Sequence, residues 1–180
     1  ILEGYGCTEG TCMVAVNPPY GERKIGSVGY PIPYSEIKIL RQDSQSNYLE
    51  LASNEVGSVC IKGRNVFKGY LEEEDNAKVW VDFNGENYFN TGDLGKIDND
   101  GYLWLTGRKK ELIIRGGHNI DPASIEAAFY AHPFVDLAAA VGRPDPKVGE
   151  VPVVYVQVKP GKKLNEQDLM EFVRENIFEK

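Results

Sequence analysis

Two charged residues near the middle of the chain have the types and positions that could bind a polar ligand. Asp93 follows a glycine in Thr91-Gly92-Asp93, where a tight turn after the apolar pair Tyr88-Phe89 would direct its side chain outward. A carboxylate placed in this way could accept hydrogen bonds from both hydroxyls of a ribose. From these residues alone, the alternative is a turn aspartate that binds its own backbone. Arg108 follows Gly107 at the end of a predicted hairpin, so its planar guanidinium could reach the same ligand.

A second group of candidate residues lies near the start of the chain, in Gly4-Tyr5-Gly6-Cys7-Thr8-Glu9. An aromatic ring beside bare glycine backbone can stack on a base, and Thr8 and Glu9 could face a phosphate and a bound cation. Taken alone, a glycine-rich loop with a polar end is more often only a loop.

A third candidate is the glycine turn Gly116-Gly117 with His118 directly after it. An exposed histidine without a functional role is the alternative for His118, since polarity alone implies no activity. Soon afterwards, Asp121 and Pro122 form a favourable helix start, with aspartate as the N-cap and proline at the first helical position.

The elements that must position these residues are short strands in the first part of the chain. Alternating apolar residues predict strands at 24–31, 35–40, 56–63 and 66–70, and their even spacing indicates a small distorted barrel. A short helix is predicted within 72–81, and Asn99-Asp100-Gly101 predicts a hairpin.

After the helix that starts at Pro122, apolar segments at 135–141 and 151–159 predict two paired strands, and Asn165 with Asp168 predicts the start of a final helix. The sequence therefore predicts an α+β fold, in which a short-stranded, barrel-like β subdomain precedes a small α+β C-terminal domain.

Composition excludes several classes of protein. The 180 residues carry a net charge of −7, which argues against a nucleic-acid partner because phosphate backbones attract basic surfaces. No apolar run approaches the roughly 20 residues of a membrane span, and the first residues do not resemble a signal peptide. The 3 cysteines have no CxxC spacing, so we expect a reducing, cytoplasmic environment.

Three segments together resemble a known family. GYGCTEG at 4–10, GSVCIKGRNVFKGYL at 57–71 and YFNTGDLGKIDNDGYLWLTGRKKELIIRGGHNIDPASIE at 88–126 occur in the order and spacing of an AMP-forming acyl-CoA synthetase. This superfamily includes acyl- and aryl-CoA ligases, luciferase and the adenylation domains of nonribosomal peptide synthetases. The resemblance covers essentially the whole chain and places it in the C-terminal part of such an enzyme.

The resemblance implies a role for each candidate residue. Nucleotide binding falls to Tyr5, which would stack on adenine, and to Gly6, Thr8, Asp93 and Arg108, with Asp93 on the ribose. Glu9 would hold Mg²⁺ and, with Thr8, serve catalysis. Lys110 matches the family's hinge residue. Gly116, Gly117 and His118 match the loop that lines the pantetheine channel of CoA.

The resemblance also implies a division of the chain. Residues 1–107 would be the end of the large adenylation domain, 108–110 the hinge and 111–180 a mobile C-terminal domain. The family's Ser/Thr/Gly-rich phosphate loop has no match here, and Lys180 does not match its catalytic C-terminal lysine. We therefore expect a fragment that forms no acyl-adenylate on its own.

The implied reaction has two steps. A carboxylic acid, such as a fatty or aryl acid, reacts with ATP and Mg²⁺ to give an acyl-adenylate, and CoA then displaces AMP. A ligase that loads a carrier protein and a non-catalytic nucleotide-binding module remain the alternatives.

Overall fold

The computed structural model describes residues 1–176, which form two compact units. The first covers Ile1–Lys109 and the second begins at Lys110. The α+β class is confirmed, with long antiparallel strands and three α-helices among the described residues. The hinge assigned to 108–110 stays a prediction. No helix in this part of the chain is long and apolar enough to cross a membrane.

The first unit contains two antiparallel sheets. Strands β1 (Gly4–Tyr5), β2 (Ala15–Val16) and β3 (Tyr30–Pro31) form the smaller one. The larger contains β4 (Ser35–Gln42), β5 (Tyr48–Glu50), β6 (Gly57–Gly63), β7 (Trp80–Phe83), β8 (Glu86–Ile97) and β9 (Leu103–Arg108). Its order is β5-β4-β6-β8-β7, and β9 pairs with another part of β8. The 12-residue β8 is therefore the central strand of this unit.

The expected barrel is an open arrangement of sheets, since no strand pairing closes it within residues 1–176. The strand predicted at 66–70 is wrong, because the backbone N–H of Phe67 donates to the carbonyl of Glu9 and not to a neighbouring strand. The aromatic ring of Phe67 packs against Trp80 and Phe89. The helix predicted within 72–81 is confirmed as α1 (Glu73–Val79).

One hydrophobic core joins the two sheets of the first unit. Tyr5, Val14 and Ala15 of the small sheet region pack with residues of the large sheet, namely Ile37, Ile39, Val59, Ile61, Phe89 and Leu103. Burying such side chains contributes about 1.5–3 kcal/mol each for the larger ones. The core thus fixes the position of the loop after β1 relative to β8.

The hairpin between β8 and β9 is held by the carboxylate of Asp98. Its Oδ1 accepts hydrogen bonds from the backbone N–H groups of Asp100 (3.0 Å) and Tyr102 (2.9 Å). Its Oδ2 accepts from Trp104 Nε1 (3.0 Å) and from Lys24 Nζ (2.7 Å). Partial burial acts to raise the pKa of Asp98, but these hydrogen bonds outweigh it and lower the pKa well below its usual value.

The second unit contains a four-stranded antiparallel sheet and two helices. The strands are β10 (Ile113–Arg115), β11 (His118–Ile120), β12 (Val135–Asp145) and β13 (Gly149–Val158), in the order β11-β10-β13-β12. The helices are α2 (Pro122–Tyr130) and α3 (Glu166–Asn176). Phe129, Val135, Ala138, Leu169 and Val173 are among the core residues that join them to the sheet.

Both predicted helix starts in this unit are confirmed. The Asp121 carboxylate accepts a hydrogen bond from the backbone N–H of Ala123 at 3.0 Å, and the Asn165 side chain accepts one from that of Asp168 at 2.8 Å. Each interaction satisfies a donor that the helix leaves unpaired.

The Asp98 network predicts that Asp98→Ala destabilises the first unit by about 2 kcal/mol or more, because four donors lose a charged acceptor. Asp100→Ala is the matched control: its exposed carboxylate also contacts Lys24, so we expect a loss below about 1 kcal/mol. Urea unfolding followed by tryptophan fluorescence measures both. Equal effects of the two variants would contradict the prediction.

The lowered pKa of Asp98 also predicts a pH dependence of this effect. A carboxyl group with a lowered folded-state pKa contributes its full stability above the unfolded-state pKa of about 3.9 and loses it as the pH falls towards the folded-state value. The stability difference between wild type and Asp98→Ala should therefore shrink between about pH 5 and pH 2.

Candidate functional site

Asp93 is positioned by a bulge in the middle of β8. Asn90 pairs with Cys60 and Leu94 with Ser58, so three residues of β8, Thr91, Gly92 and Asp93, lie opposite the single residue Val59. The Thr91 hydroxyl donates to the Val59 carbonyl at 2.9 Å and accepts from the Asp93 N–H at 3.1 Å. Gly92 has a φ of +79°, which a side chain would disfavour. The turn predicted here is therefore a bulge within a strand, a feature that redirects side chains.

The carboxylate of Asp93 is bound by two side chains from distant parts of the first unit. Its Oδ2 accepts from the Tyr5 hydroxyl at 2.6 Å and its Oδ1 from Arg108 Nε at 2.9 Å. Asp93 is only 8% exposed, so these partners compensate the cost of burying its charge. The alternative of an aspartate that binds its own backbone is wrong.

The structure therefore brings together three of the predicted nucleotide-binding residues, Tyr5, Asp93 and Arg108. Tyr5 is 9% exposed, and its ring belongs to the core of the first unit. Burial raises the pKa of its phenol, and the hydrogen bond to Asp93 raises it further, so Tyr5 remains the donor. The Arg108 side chain is 63% exposed and extends towards solvent.

The loop that carries Thr8 and Glu9 depends on Gly6 for its shape. A Cβ atom on Gly6 would lie 1.5 Å from the carbonyl oxygen of Cys12, so no other residue fits without displacing backbone. The backbone N–H of Cys12 in turn donates to the carbonyl of Cys7 at 3.1 Å. The loop folds back on itself, with Thr8 exposed and Glu9 half-buried at its bend.

A second segment fixes the side chain of Glu9. The Tyr70 hydroxyl donates to Glu9 Oε1 at 2.5 Å, and the Asn65 amide donates to the carbonyl of Gly10 at 3.1 Å. The hydrogen bond to Glu9, with a smaller effect of burial, raises the pKa of Tyr70 to about 12, so Tyr70 stays protonated at neutral pH. Tyr70 is a further candidate residue that the sequence did not predict, because no local pattern links positions 9 and 70.

The donors in this loop suit a magnesium ion that is shared with a phosphate. Within residues 1–176 no three His, Cys, Asp or Glu side chains form a cluster that could hold a metal by themselves. Glu9 supplies one half-buried carboxylate, and the exposed Thr8 precedes it in the chain. Mg²⁺ commonly takes one or two carboxylates and completes its shell with water and phosphate oxygens, so this donor set fits.

The remaining predicted residues lie in the second unit. Gly116 and Gly117 connect β10 and β11 as a two-residue turn, with φ values of +58° and +83°, and a Cβ at either would meet open space. Conformation, not crowding, therefore favours glycine in this hairpin. His118 is exposed and pairs in register with Arg115, while Lys110 is exposed at the start of the unit.

Comparison with known proteins places these features in a family. Residues 1–71 match the family model of the AMP-binding enzymes, and residues 124–179 match that of the AMP-binding enzyme C-terminal domain. The two matched ranges together span more than half of the chain and contain the loop of Tyr5 to Glu9, most of helix α2 and all of helix α3.

Individual relatives agree. A marinolic acid–CoA ligase of Pseudoalteromonas sp. (strain SANK 73390) is 46% identical over 99% of this chain, which covers 27% of that protein. The ATP-bound structure of MatB from Rhodopseudomonas palustris superposes with a TM-score of 0.87 at 34% identity, over 99% of this chain and 34% of that one.

A third comparison is the O-succinylbenzoate CoA synthetase MenE of Bacillus subtilis in complex with ATP and magnesium, with a TM-score of 0.78 and 34% identity. It covers 97% of this chain and 34% of that one, so the chain spans between about a quarter and a third of these relatives. Sequence, fold and the order of the two matched regions lead to one conclusion: the chain belongs to the family of AMP-binding enzymes.

Proposed function

We propose that the chain is part of an ATP-dependent acid–thiol ligase, which converts a carboxylic acid to an acyl-adenylate and transfers the acyl group to CoA. The observation that carries this proposal is the buried carboxylate of Asp93, held between Tyr5 and Arg108 at a strand bulge. Relatives named as CoA ligases and the structures with bound ATP support it.

The Asp93 cluster has the chemistry of a ribose subsite. An ionised carboxylate offers about four lone-pair positions, of which Tyr5 and Arg108 occupy two, so acceptor capacity remains for the two hydroxyls of a ribose. Because its two partners fix the carboxylate before a ligand arrives, binding costs little side-chain entropy. Arg108, whose side chain is 63% exposed, would also contact the nucleotide.

Adenine and phosphate would lie next to this subsite, on the loop of residues 5–9. Tyr5 and Gly6 would contact the base, and the nearly buried ring of Tyr5 offers little surface for stacking. Thr8 would bind phosphate, and Glu9 would hold Mg²⁺, which supplies positive charge against the phosphate oxygens when bound. Tyr70 would orient the Glu9 carboxylate through its hydrogen bond.

The second unit would serve the thiol step. Gly116, Gly117 and His118 form the exposed end of the β10–β11 hairpin, where the pantetheine arm of CoA would pass close to glycine backbone. Lys110 stands at the boundary between the two compact units, where a change of few backbone dihedrals can redirect a whole domain. Lys110 would act as the hinge about which the second unit turns between the two half-reactions.

The test of this proposal uses the full-length protein with ATP, Mg²⁺ and a panel of carboxylic acids, with and without CoA. Mass spectrometry follows AMP, acyl-adenylate and acyl-CoA. We expect acyl-CoA from one class of acids. Adenylate without thioester would indicate a carrier-protein acceptor, and no product with any acid would indicate a non-catalytic module.

The ribose subsite predicts that Asp93→Asn raises the Kd for ATP by about tenfold or more, because hydrogen bonds to a charged acceptor contribute roughly 1.5–3 kcal/mol each. Isothermal titration with Mg·ATP measures the change. Asp82→Asn is the control, since Asp82 is an exposed carboxylate on neighbouring β7. An unchanged Kd for Asp93→Asn would remove this carboxylate from the nucleotide site.

The hairpin assignment predicts that Gly117→Leu slows thioester formation by about tenfold or more and leaves adenylate formation nearly unchanged. Gly85→Leu is the matched control: Gly85 also sits in a hairpin turn, with a φ of +79° and open space around its Cα. It carries a similar conformational cost in the first unit. Stopped-flow measurement of each half-reaction separates the effects, and equal loss of both steps in the Gly117 variant would contradict the assignment.

A further inference from the structure

The backbone pairing between the β10–β11 hairpin and the rest of its sheet is short. β10 and β13 share the single register pair Arg115 with Gly149. Beside this pair, the backbone N–H of Gly116 donates to the carbonyl of Val148 at 2.7 Å. The next N–H in the pattern, that of Ile114, donates at 2.8 Å to a side chain, Oε2 of Glu150.

The carboxylate of Glu150 is accommodated by a gap in the neighbouring strand. A Cβ atom on Gly142 of β12 would lie 2.6 Å from Oε2 and 3.0 Å from Oε1 of Glu150. The absence of a side chain at Gly142 therefore leaves room for the carboxylate to reach β10. Three strands, β12, β13 and β10, are arranged around this one group.

Glu150 is held by a hydrogen bond and not by a salt bridge in the part of the chain that the structure describes. The salt bridges of the described residues do not include it, and its observed donor is a backbone N–H. A carboxylate that accepts a backbone N–H forms a charge-assisted bond, which is stronger than the neutral bond of an ordinary strand ladder. The side chain thus extends the pairing between β13 and β10 where the backbone ladder stops.

This attachment matters because the hairpin is small. Its two strands have three residues each, and an isolated two-stranded hairpin is at best marginally stable in water. The fully buried side chain of Ile113 anchors the start of β10, and the direction of the exposed end, Gly116 to His118, then depends on the bonds from β10 to β13. Within residues 1–176, Glu150 supplies the side-chain hydrogen bond between these two strands.

We propose that Glu150 is a positioning residue for the thiol-transfer step, which holds the β10–β11 hairpin at the angle that CoA requires. This inference rests on the proposed function, in which that hairpin contacts pantetheine. The residues assigned to the nucleotide belong to the first unit, so loss of Glu150 affects the thioester step and spares adenylation.

The test compares Glu150→Ala and Glu150→Gln in the full-length protein, with Glu171→Ala, an exposed glutamate on α3, as the control. ATP–pyrophosphate exchange with the acid, without CoA, measures adenylation, and acyl-CoA formation at varied CoA measures thiol transfer. For Glu150→Ala we expect exchange within about twofold of wild type and a KM for CoA raised about tenfold or more. Glu150→Gln keeps an acceptor oxygen and should recover most of the loss.

Hydrogen–deuterium exchange gives a readout that does not depend on activity. Backbone amides of residues 113–120 should exchange faster in Glu150→Ala, while those of 151–158 keep their protection. Glu150→Gln should restore slow exchange at 113–120. Equal loss of adenylation and thiol transfer, or unchanged exchange at 113–120, overturns the inference. If wild-type protein makes adenylate but no acyl-CoA, the proposed acceptor is wrong instead, and the exchange measurement alone decides whether Glu150 holds the hairpin.

Discussion

The buried carboxylate of Asp93 is the constraint around which the first unit is built. A charge that is removed from water must be given hydrogen-bond donors, and here they come from β1 and β9. Tyr5 can reach it only because the core packs the small sheet against the large one, and Arg108 only because β9 pairs with β8 in this register. The two oxygens of the Asp93 carboxylate thus hold three separate segments together, namely β1, β8 and β9.

Two further carboxylates show how the same chemical group is held in different ways. The half-buried Glu9 carboxylate accepts a hydrogen bond from the Tyr70 hydroxyl, which orients one of its two oxygens. Glu150 receives a backbone N–H and lies in a space that Gly142 leaves open. In each case a residue distant in sequence determines where the carboxylate points. No local sequence pattern identifies that donor.

Sequence patterns therefore predicted those structural features that depend on neighbouring residues alone. Asp121 and Pro122 begin a helix because capping involves only adjacent residues, and Asn99-Asp100-Gly101 forms its hairpin for the same reason. The family resemblance rested on whole motifs and is confirmed. The roles of single residues carried over from it stay predictions, which the contacts around Asp93 and Glu9 support without testing.

What the sequence did not predict depends on pairing between distant segments. The open sheets, the path of residues 66–70 and the bulge at Thr91-Gly92-Asp93 follow from which strands lie side by side, and periodicity within one strand contains no such information. The contact between Tyr70 and Glu9 likewise joins two segments that only the fold brings together.

The bulge in β8 also constrains how the length of this segment can vary among homologous proteins. Side chains alternate between the two faces of a strand. The three residues opposite Val59 therefore determine on which face of the sheet each side chain from Leu94 to Ile97 lies. Deleting or inserting one codon here would exchange the inward and outward faces of the downstream strand, together with its pairing to β9. Point substitutions at these positions alter one contact at a time, whereas a change of length would alter the whole half-strand, so natural variation in this segment should consist of substitutions.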